Sequence, residues 1–318
     1  MTTLMTADGN PRSTKRRSQR RPDTWAGIGM SFPALLGLVL FIAIPFVYAI
    51  IFSLQNIQVS QAHPAKFWGL TEYVRLFTNP IDSGPFLRAM LNNFVFAAVV
   101  IPVQTGLALA LAVLLNRKLK GVKIYRTFFF MPVVFPMALV AVIWRLILDR
   151  SSQGLLNSAL NAVTFGHVQP HDWLGSSSTA LASVILLSIW QGVGFQMIIV
   201  LAGLQEIPQE RYEAASLDRA GAWQQFIHIT VPGIRNTLIF VVLLTTILSF
   251  RVYDQVYILI NTAGANQNAT QTMLFQATNA VFNENDLGQA SAISVILFVI
   301  VVIITVVQRA VLRQRNES

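Results

Sequence analysis

The sequence predicts an all-α, polytopic membrane protein with six transmembrane helices, and three observations carry that reading. Of 318 residues, 54% are hydrophobic and 12% charged, where a soluble domain carries about 25% charged residues. Six apolar runs reach the length of about 20 residues that a helix needs to cross a bilayer. They are Met30–Leu54, Leu91–Leu115, Phe128–Leu148, Thr179–Gly203, Leu238–Ile260 and Ala290–Val311. Basic residues, finally, are rich and poor in alternate intervening segments.

The chain opens on a basic tail, residues 1–29, which carries Arg12, Lys15, Arg16, Arg17, Arg20 and Arg21. With little apolar surface to bury, it is predicted to be disordered and held at the inner membrane surface by charge. The first apolar run is too long for the roughly 7–15 residues of a signal-peptide core and no small-x-small cleavage site closes it, so it reads as a retained helix. Arg117, Lys118, Lys120, Lys123 and Arg126 follow the second run, Arg211, Arg219 and Arg235 the fourth, and Arg309, Arg313 and Arg315 close the chain. The other segments hold Lys66, Arg75 and Arg88, then Arg145 and Arg150, then Arg251. The richer side is cytoplasmic by the positive-inside rule. Both termini are therefore expected inside, with a membrane domain over 30–312 and a short cytoplasmic tail over 313–318. The net charge of +9 follows from this topology, and nucleic acid is not an expected partner.

The chain has no cysteine, which excludes disulfides, thiolate metal sites and a cysteine nucleophile. No catalytic or metal-binding constellation is read from it. The outer loops contain short amphipathic pieces, LTEYVRLF (Leu70–Phe77), GLLNSAL (Gly154–Leu160) and TMLFQATNAVF (Thr272–Phe282). Periodicity leaves these open between helices over the mouth of the bundle and plain spacers. Pro33, Pro45, Pro102, Pro132 and Pro136 lie in or at the ends of spans and favour kinked, packed helices. Gly192, Gly194, Ala202 and Gly203 allow close helix approach in the fourth span.

The inner segment 205–235 contains EAASLDRAGAWQQFIHITVP, Glu213 to Pro232. Pro208 suits a first helical position, QERYEAASLDRA reads as helix, and Ala220-Gly221-Ala222 can break it with Gly221 free to adopt positive φ. A second short helix would place Trp223, Phe226 and Ile227 on one side before Pro232. Physics alone leaves this segment open between an interfacial loop and a docking surface for another protein. In the fifth span Arg251 and Asp254, three apart, would share a helical face. Charges at such depth mark function by default; the pair is open between an ion pair reaching for the outer interface and the polar wall of a translocation cavity.

The segment resembles the EAA loop of permease subunits of binding-protein-dependent ABC importers, with Glu213-Ala214-Ala215, Ile229 and Pro232 at the family's spacing and Val231 in place of the usual leucine. The family usually has glycine where Arg219 stands. The resemblance extends over nearly all of 30–312, through WGLTEYVRLF, GLLN, DWL and W-x-G-V-G-F, and is to the carbohydrate branch, close to the maltose and glycerol-3-phosphate permeases. It implies a second homologous permease subunit, two ATP-binding subunits and an extracytoplasmic substrate-binding protein as partners, with membrane lipid around the bundle. Glu213, Ala214, Ala215, Asp218 and Gly221 would form the ATPase-coupling surface. The resemblance places Gly192, Phe195, Phe250, Arg251 and Asp254 along the substrate path of a sugar, oligosaccharide or related polar solute such as a glycerophosphate, with Trp190, Gln191 and Gln196 behind them. Arg251 and Asp254 replace the family's asparagines, and NTAGANQNAT departs from its usual turn after the fifth helix.

The chain lacks a G-x-x-x-x-G-K-[ST] sequence, so ATP and Mg would be bound by the partner ATPases, with no cofactor in this chain and no covalent chemistry by it. The implied location is the bacterial inner membrane. Two other functions fit the apolar runs alone: an ion-coupled secondary transporter with Arg251 and Asp254 as coupling pair, and a membrane scaffold that moves no solute.

Overall fold

The computed structural model describes residues 24–60, 64–117, 120–260 and 267–314. Most of the basic tail and the last residues of the C-terminal tail lie outside these, as do residues 261–266 of NTAGANQNAT. The chain divides into two units, Met1–Tyr48 and Ala49–Ser318.

α1 (Thr24–Leu38) runs through a π-helical turn, Val39–Ala43, into α2 (Ile44–Ser53), which begins in the first unit and ends in the second. Pro45 explains the turn, because proline has no N–H to offer the carbonyl four residues back and its ring crowds that carbonyl. The helix widens instead, and the Ile44 N–H donates to Val39 O. Apolar side chains such as Met30 and Phe41 are exposed, as befits a helix that is apolar all round and meets lipid.

In the second unit a two-residue antiparallel pair, β1 (Gln55–Asn56) with β2 (Lys66–Phe67), precedes α3 (Thr71–Thr78). Helix α4 (Pro80–Leu115) starts at Pro80, well before the apolar run at Leu91. The Asn79 side chain caps it by accepting from the Ile81 N–H at 3.0 Å, and proline suits the first helical position. At about 1.5 Å per residue its 36 residues outreach the bilayer core, so its first turns stand clear of it. The next span is not one helix. α5 (Val122–Val134) and α6 (Met137–Ile147) meet at 98°, because Pro136 holds Phe135 extended at ψ 138°.

α7 (Leu155–Val163) follows, and its Asn157 accounts for the GLLN and DWL motifs. Its amide Nδ2 donates to the carbonyls of Asp149, Ser151 and His171. Its Oδ1 accepts from the His171 N–H and the Trp173 Nε1–H. One buried side chain thus closes the loop on itself.

α8 (Ala180–Gln205) is the central helix and packs along α4 and α5. Ala108 and Ala112 of α4 meet Met197, Val200, Leu201 and Leu204 of α8 in one core cluster. Gly194 lets α5 approach, since a Cβ there would overlap the Phe129 carbonyl, and Gly203 leaves room for Thr237. The chain continues through α9 (Gln209–Leu217), α10 (Ala222–Gln225), a second π-turn at Phe226–Thr230 ahead of Pro232, and α11 (Val231–Gly233). It bends by 67° into α12 (Arg235–Phe250). α13 (Asp254–Ile260), α14 (Gln267–Thr270), α15 (Met273–Phe282) and α16 (Leu287–Gln314) complete it.

The three amphipathic pieces of the outer loops are helices, α3, α7 and α15. Four helices are long and apolar enough to cross a membrane, and the count reaches six when each bent pair forms one span. The architecture is all-α and polytopic. The expected continuous fifth span, Leu238–Ile260, is broken at Arg251–Tyr253.

Candidate functional site

That break builds a cavity of about 380 Å³. α12 ends at Phe250 with Arg251 as its C-cap, and α13 starts at Asp254. Carbonyls freed by a broken helix need donors inside a membrane protein. Asn93 Nδ2 donates to Phe250 O at 3.4 Å and Thr272 Oγ1 to Val252 O at 2.9 Å. Asn93 is itself oriented, because its Oδ1 accepts from the Met273 N–H at 2.8 Å.

Polar groups from α4, α8 and the α12–α13 junction converge on the cavity: Gln104, Ser188, Gln191, Thr245, Ser249, Arg251, Asp254 and Gln255. Gly192 lines it too, and its bareness admits the Gln104 amide, which a Cβ would overlap. Several groups are already fixed. Gln255 Nε2 donates to Ser188 Oγ at 3.1 Å, Gln191 Nε2 to Phe135 O at 3.2 Å, and Gln196 Nε2 to Thr245 Oγ1 at 2.6 Å. The buried Ser249 hydroxyl has no hydrogen-bond partner among the described residues.

The structure places the expected path residues unevenly. Gly192, Arg251 and Asp254 line the cavity. Phe250 is 1% exposed and packs edge-on to Phe94 with ring centroids 5.3 Å apart, so it supports the break from the core side. Phe195 is exposed on α8 and outside the lining. Trp190 leans on Trp144.

The shared helical face expected for Arg251 and Asp254 is corrected: they flank the break on different helices. Among the described residues, neither forms an ion pair; every ion pair found there involves Arg75. Sequence reading missed Gln104, Ser188, Thr245, Ser249 and Gln255. Thr245 and Ser249, one helical turn apart in an apolar span, were the available signal.

The second candidate region is α9 and its turn. Pro208 is the N-cap residue and α9 begins at Gln209. The helix ends in a Schellman arrangement: the Ala220 N–H donates to Ala215 O at 2.9 Å and the Arg219 N–H to Ser216 O at 3.1 Å. The left-handed residue is Arg219, φ 57°. Gly221, expected to take positive φ, has φ −67° and ψ 165°. It instead opens α10, its N–H held by Gln224 Oε1 at 2.8 Å.

The two arms are tied by Tyr212 Oη to Thr230 Oγ1 at 3.0 Å and by Gln225 Nε2, which donates to Ser216 Oγ and Ala220 O. Glu213, Ala214, Asp218 and Gly221 are exposed and Ala215 is half-buried. Glu213 lines an open groove with Asn116, Tyr212, Ser216, Leu217 and Gln225. Leu217 and Trp223 are 86% and 70% exposed, while Phe226 is half-buried. Trp223 stacks on Phe226 at 5.6 Å and faces outward.

A family profile described as "Binding-protein-dependent transport system inner membrane component" matches residues 104–316, which include the cavity's α8, α12 and α13 and the whole of α9. The chain belongs to this family.

The permease is 36% identical over 289 residues to the probable ABC transporter permease protein YurN of Bacillus subtilis, a match that covers 90% of this chain and 95% of that one. It is 33% identical over 291 residues to the trehalose/maltose transport system permease protein MalF of Thermococcus litoralis, covering 92% and 95%. In fold it resembles a chain of a bacterial ABC transporter involved in the import of the acidic polysaccharide alginate, with TM-score 0.76, 19% identity and coverage of 92% and 98%. A chain of the alginate transporter in complex with an alginate pentasaccharide-bound periplasmic protein gives TM-score 0.78 at 19% identity. The permease is thus the multi-pass inner membrane component of a binding-protein-dependent ABC importer, a transport component and not an enzyme.

One feature of the permease was not foreseen. Arg75 of α3 gathers three carboxylates: Asp82 at 2.7 Å, Asp286 at 3.0 Å and Glu72 at 3.6 Å. Asp82 opens α4 and Asp286 caps α16, so this cluster joins three helix starts. The Glu72 side chain is 1% exposed and neither of its oxygens has a hydrogen-bond partner among the described residues. Burial, with Asp286 beside it, pushes its carboxyl up from 4.5 to about 7, against the opposing pull of Arg75. Among the described residues no group of His, Cys, Asp and Glu has metal-binding geometry.

Proposed function

We propose that the permease conducts a saccharide or related polyhydroxyl solute through the cavity at the α12–α13 break. It would do so together with a second permease subunit. The observation that carries this reading is the cavity lining: amides, hydroxyls, Arg251 and Asp254 converge, beside apolar side chains such as Phe96, Met137 and Leu248, on a volume within the about 300–1,000 Å³ of small-molecule sites. A hydroxyl-rich solute exchanges its hydrogen bonds with water for bonds to such groups. The names of several relatives point the same way, among them permeases of trehalose/maltose, lactose and arabinooligosaccharide transport systems.

Two ATP-binding subunits, which hold ATP and Mg, would dock on the exposed surface of Glu213, Ala214, Asp218 and Gly221. Ala215 would keep that contact close, and an extracytoplasmic binding protein would deliver solute at the opposite mouth. α12 begins at Arg235, directly after the α10–α11 arm, and ends at the cavity. Movement of the docked segment would therefore be transmitted along one helix to Thr245, Ser249 and the break. In this reading both termini are cytoplasmic.

The test is uptake of labelled saccharides by cells with the gene present or deleted, with and without a protonophore, and with the partner ATPase disabled. Uptake of one saccharide that disappears with the gene and with the ATPase, and survives the protonophore at constant ATP, is the expected result. Uptake that stops with the protonophore alone would assign the chain to ion-coupled transport.

A further inference from the structure

α13 has two lined faces. Asp254 and Gln255 face the central cavity, while Tyr253 and Tyr257, one helical turn apart, face a second cleft of about 400 Å³. The other wall of that cleft is one stripe of α15: Phe275, Thr278, Asn279, Phe282 and Asn283, at the three- and four-residue spacing of a helix face. By the charge asymmetry of the loops, α15 lies on the outer side.

The lining is built of two kinds of group. Tyr253 and Tyr257 stack at 5.4 Å with 24° between their planes, and Tyr257 leans toward Phe275 at 6.5 Å. Tyr257 and Phe282 are 44% and 79% exposed, so aromatic surface is open to an incoming molecule. Between these rings runs a polar line. Thr278 Oγ1, which lines the cleft with Tyr253, donates to Leu274 O at 2.8 Å. Asn283 Nδ2 donates to Asn279 Oδ1 at 2.6 Å, and Asn279 Nδ2 to Glu284 Oε1 at 2.7 Å. The Asn283 Oδ1 and the Tyr257 hydroxyl take no partner among the described residues. Among the described residues no charged side chain lines the cleft.

We propose that this cleft is a second ligand site, a subsite for one neutral pyranose ring on the far side of α13 from the central cavity. Open aromatic surface receives the apolar C–H face of a sugar ring, and amide and hydroxyl groups at its border receive the ring's hydroxyl edge. The absence of a lining cation disfavours phosphate headgroups and uronates, which the Arg251-lined cavity could receive instead. The inference rests on the saccharide reading given above. A ring held here bears directly on α13, whose other face carries Asp254.

The chain has no cysteine, so Phe282→Cys gives a single reporter, with Val163→Cys, 76% exposed on α7 in the native chain, as control. Both are alkylated with a membrane-impermeant maleimide in membranes that carry the complete transporter, in the presence of maltose, lactose or diacetylchitobiose. The cysteine at 282 should react about tenfold more slowly with one of these saccharides at about ten times its Kd, the factor being 1 + [L]/Kd. The control should be unaffected, and adding Tyr257→Ala should abolish the protection. An unchanged rate with every saccharide, while the transporter still imports one of them, overturns the subsite and leaves the transport reading standing. A cysteine at 282 that reacts with or without saccharide no faster than a buried thiol overturns it too, since another subunit or lipid then fills the cleft. Failure of the transport reading shows separately, as absence of saccharide uptake by the unsubstituted protein.

Discussion

The backbone N–H of Ala220 donates to the carbonyl oxygen of Ala215 at 2.9 Å, and this bond closes α9 only because Arg219 between them is left-handed. A side chain in that conformation costs roughly 1–2 kcal/mol, and glycine returns about 0.4–1 kcal/mol of that through its freer unfolded chain. Arg219→Gly should therefore leave stability unchanged or raise it by about 0.5 kcal/mol. Arg219→Val, β-branched, should lower it. Thermal unfolding of the purified complex reads both; a valine tolerated as well as glycine would remove the left-handed turn from the account.

Arg251 and Asp254 face one cavity without pairing. Breaking a buried ion pair by removing one partner costs about 3–5 kcal/mol, whereas a side chain free of such a bond changes stability by about 0.5 kcal/mol or less. Arg251→Gln and Asp254→Asn should each stay within the smaller figure in unfolding experiments. Asp254→Asn should nonetheless change the KM or the preference among saccharides, by about tenfold for the loss of one charged hydrogen bond. Unchanged uptake together with a large stability loss would make the two residues structural.

Gly192 and Gly194 are two residues apart and should behave differently. A methyl at Gly192 meets the movable Gln104 amide, and one at Gly194 meets the Phe129 backbone. Gly192→Ala should impair uptake with little loss of assembled complex. Gly194→Ala should cost about 1–3 kcal/mol through overpacking and lower the amount of assembled complex, read by size-exclusion chromatography.

The raised pKa of Glu72 sets a sign for pH dependence. Between 4.5 and about 7 the folded chain holds a proton at Glu72 that the unfolded chain releases. The folded state binds more protons there, so this contribution is fully present below 4.5 and is lost as pH rises through about 7. Thermal unfolding across that window should show stability falling with pH, and Glu72→Gln, which cannot ionise, should flatten the fall and melt higher than the native chain above it. A native-like pH profile in the glutamine variant would place the titrating group elsewhere.

Much of this architecture was legible in the sequence. Hydropathy located the apolar segments, and the three short amphipathic stretches that periodicity left open are helices. Illegible features depend on partners distant in the chain. FRVYD, Phe250 to Asp254, contains neither proline nor glycine, and its break is capped by Asn93, 157 residues earlier, and by Thr272. Arg75 meets Asp286 across 211 positions, so the environment of Glu72 has no local trace. At Arg219 the expected glycine pointed to the correct backbone position, and the search for positive φ at Gly221 looked two residues too late.

The central claim is that the exposed α9 surface transmits ATP hydrolysis to the cavity, and Glu213→Ala tests it most directly. The measurement is ATP-driven saccharide uptake into proteoliposomes that contain the complete transporter, alongside binding of saccharide to the isolated binding protein. The account predicts uptake reduced at least about tenfold, as expected when a charged interface contact worth about 1.5–3 kcal/mol is lost, with binding-protein affinity unchanged. Full uptake by the Glu213→Ala transporter would contradict it.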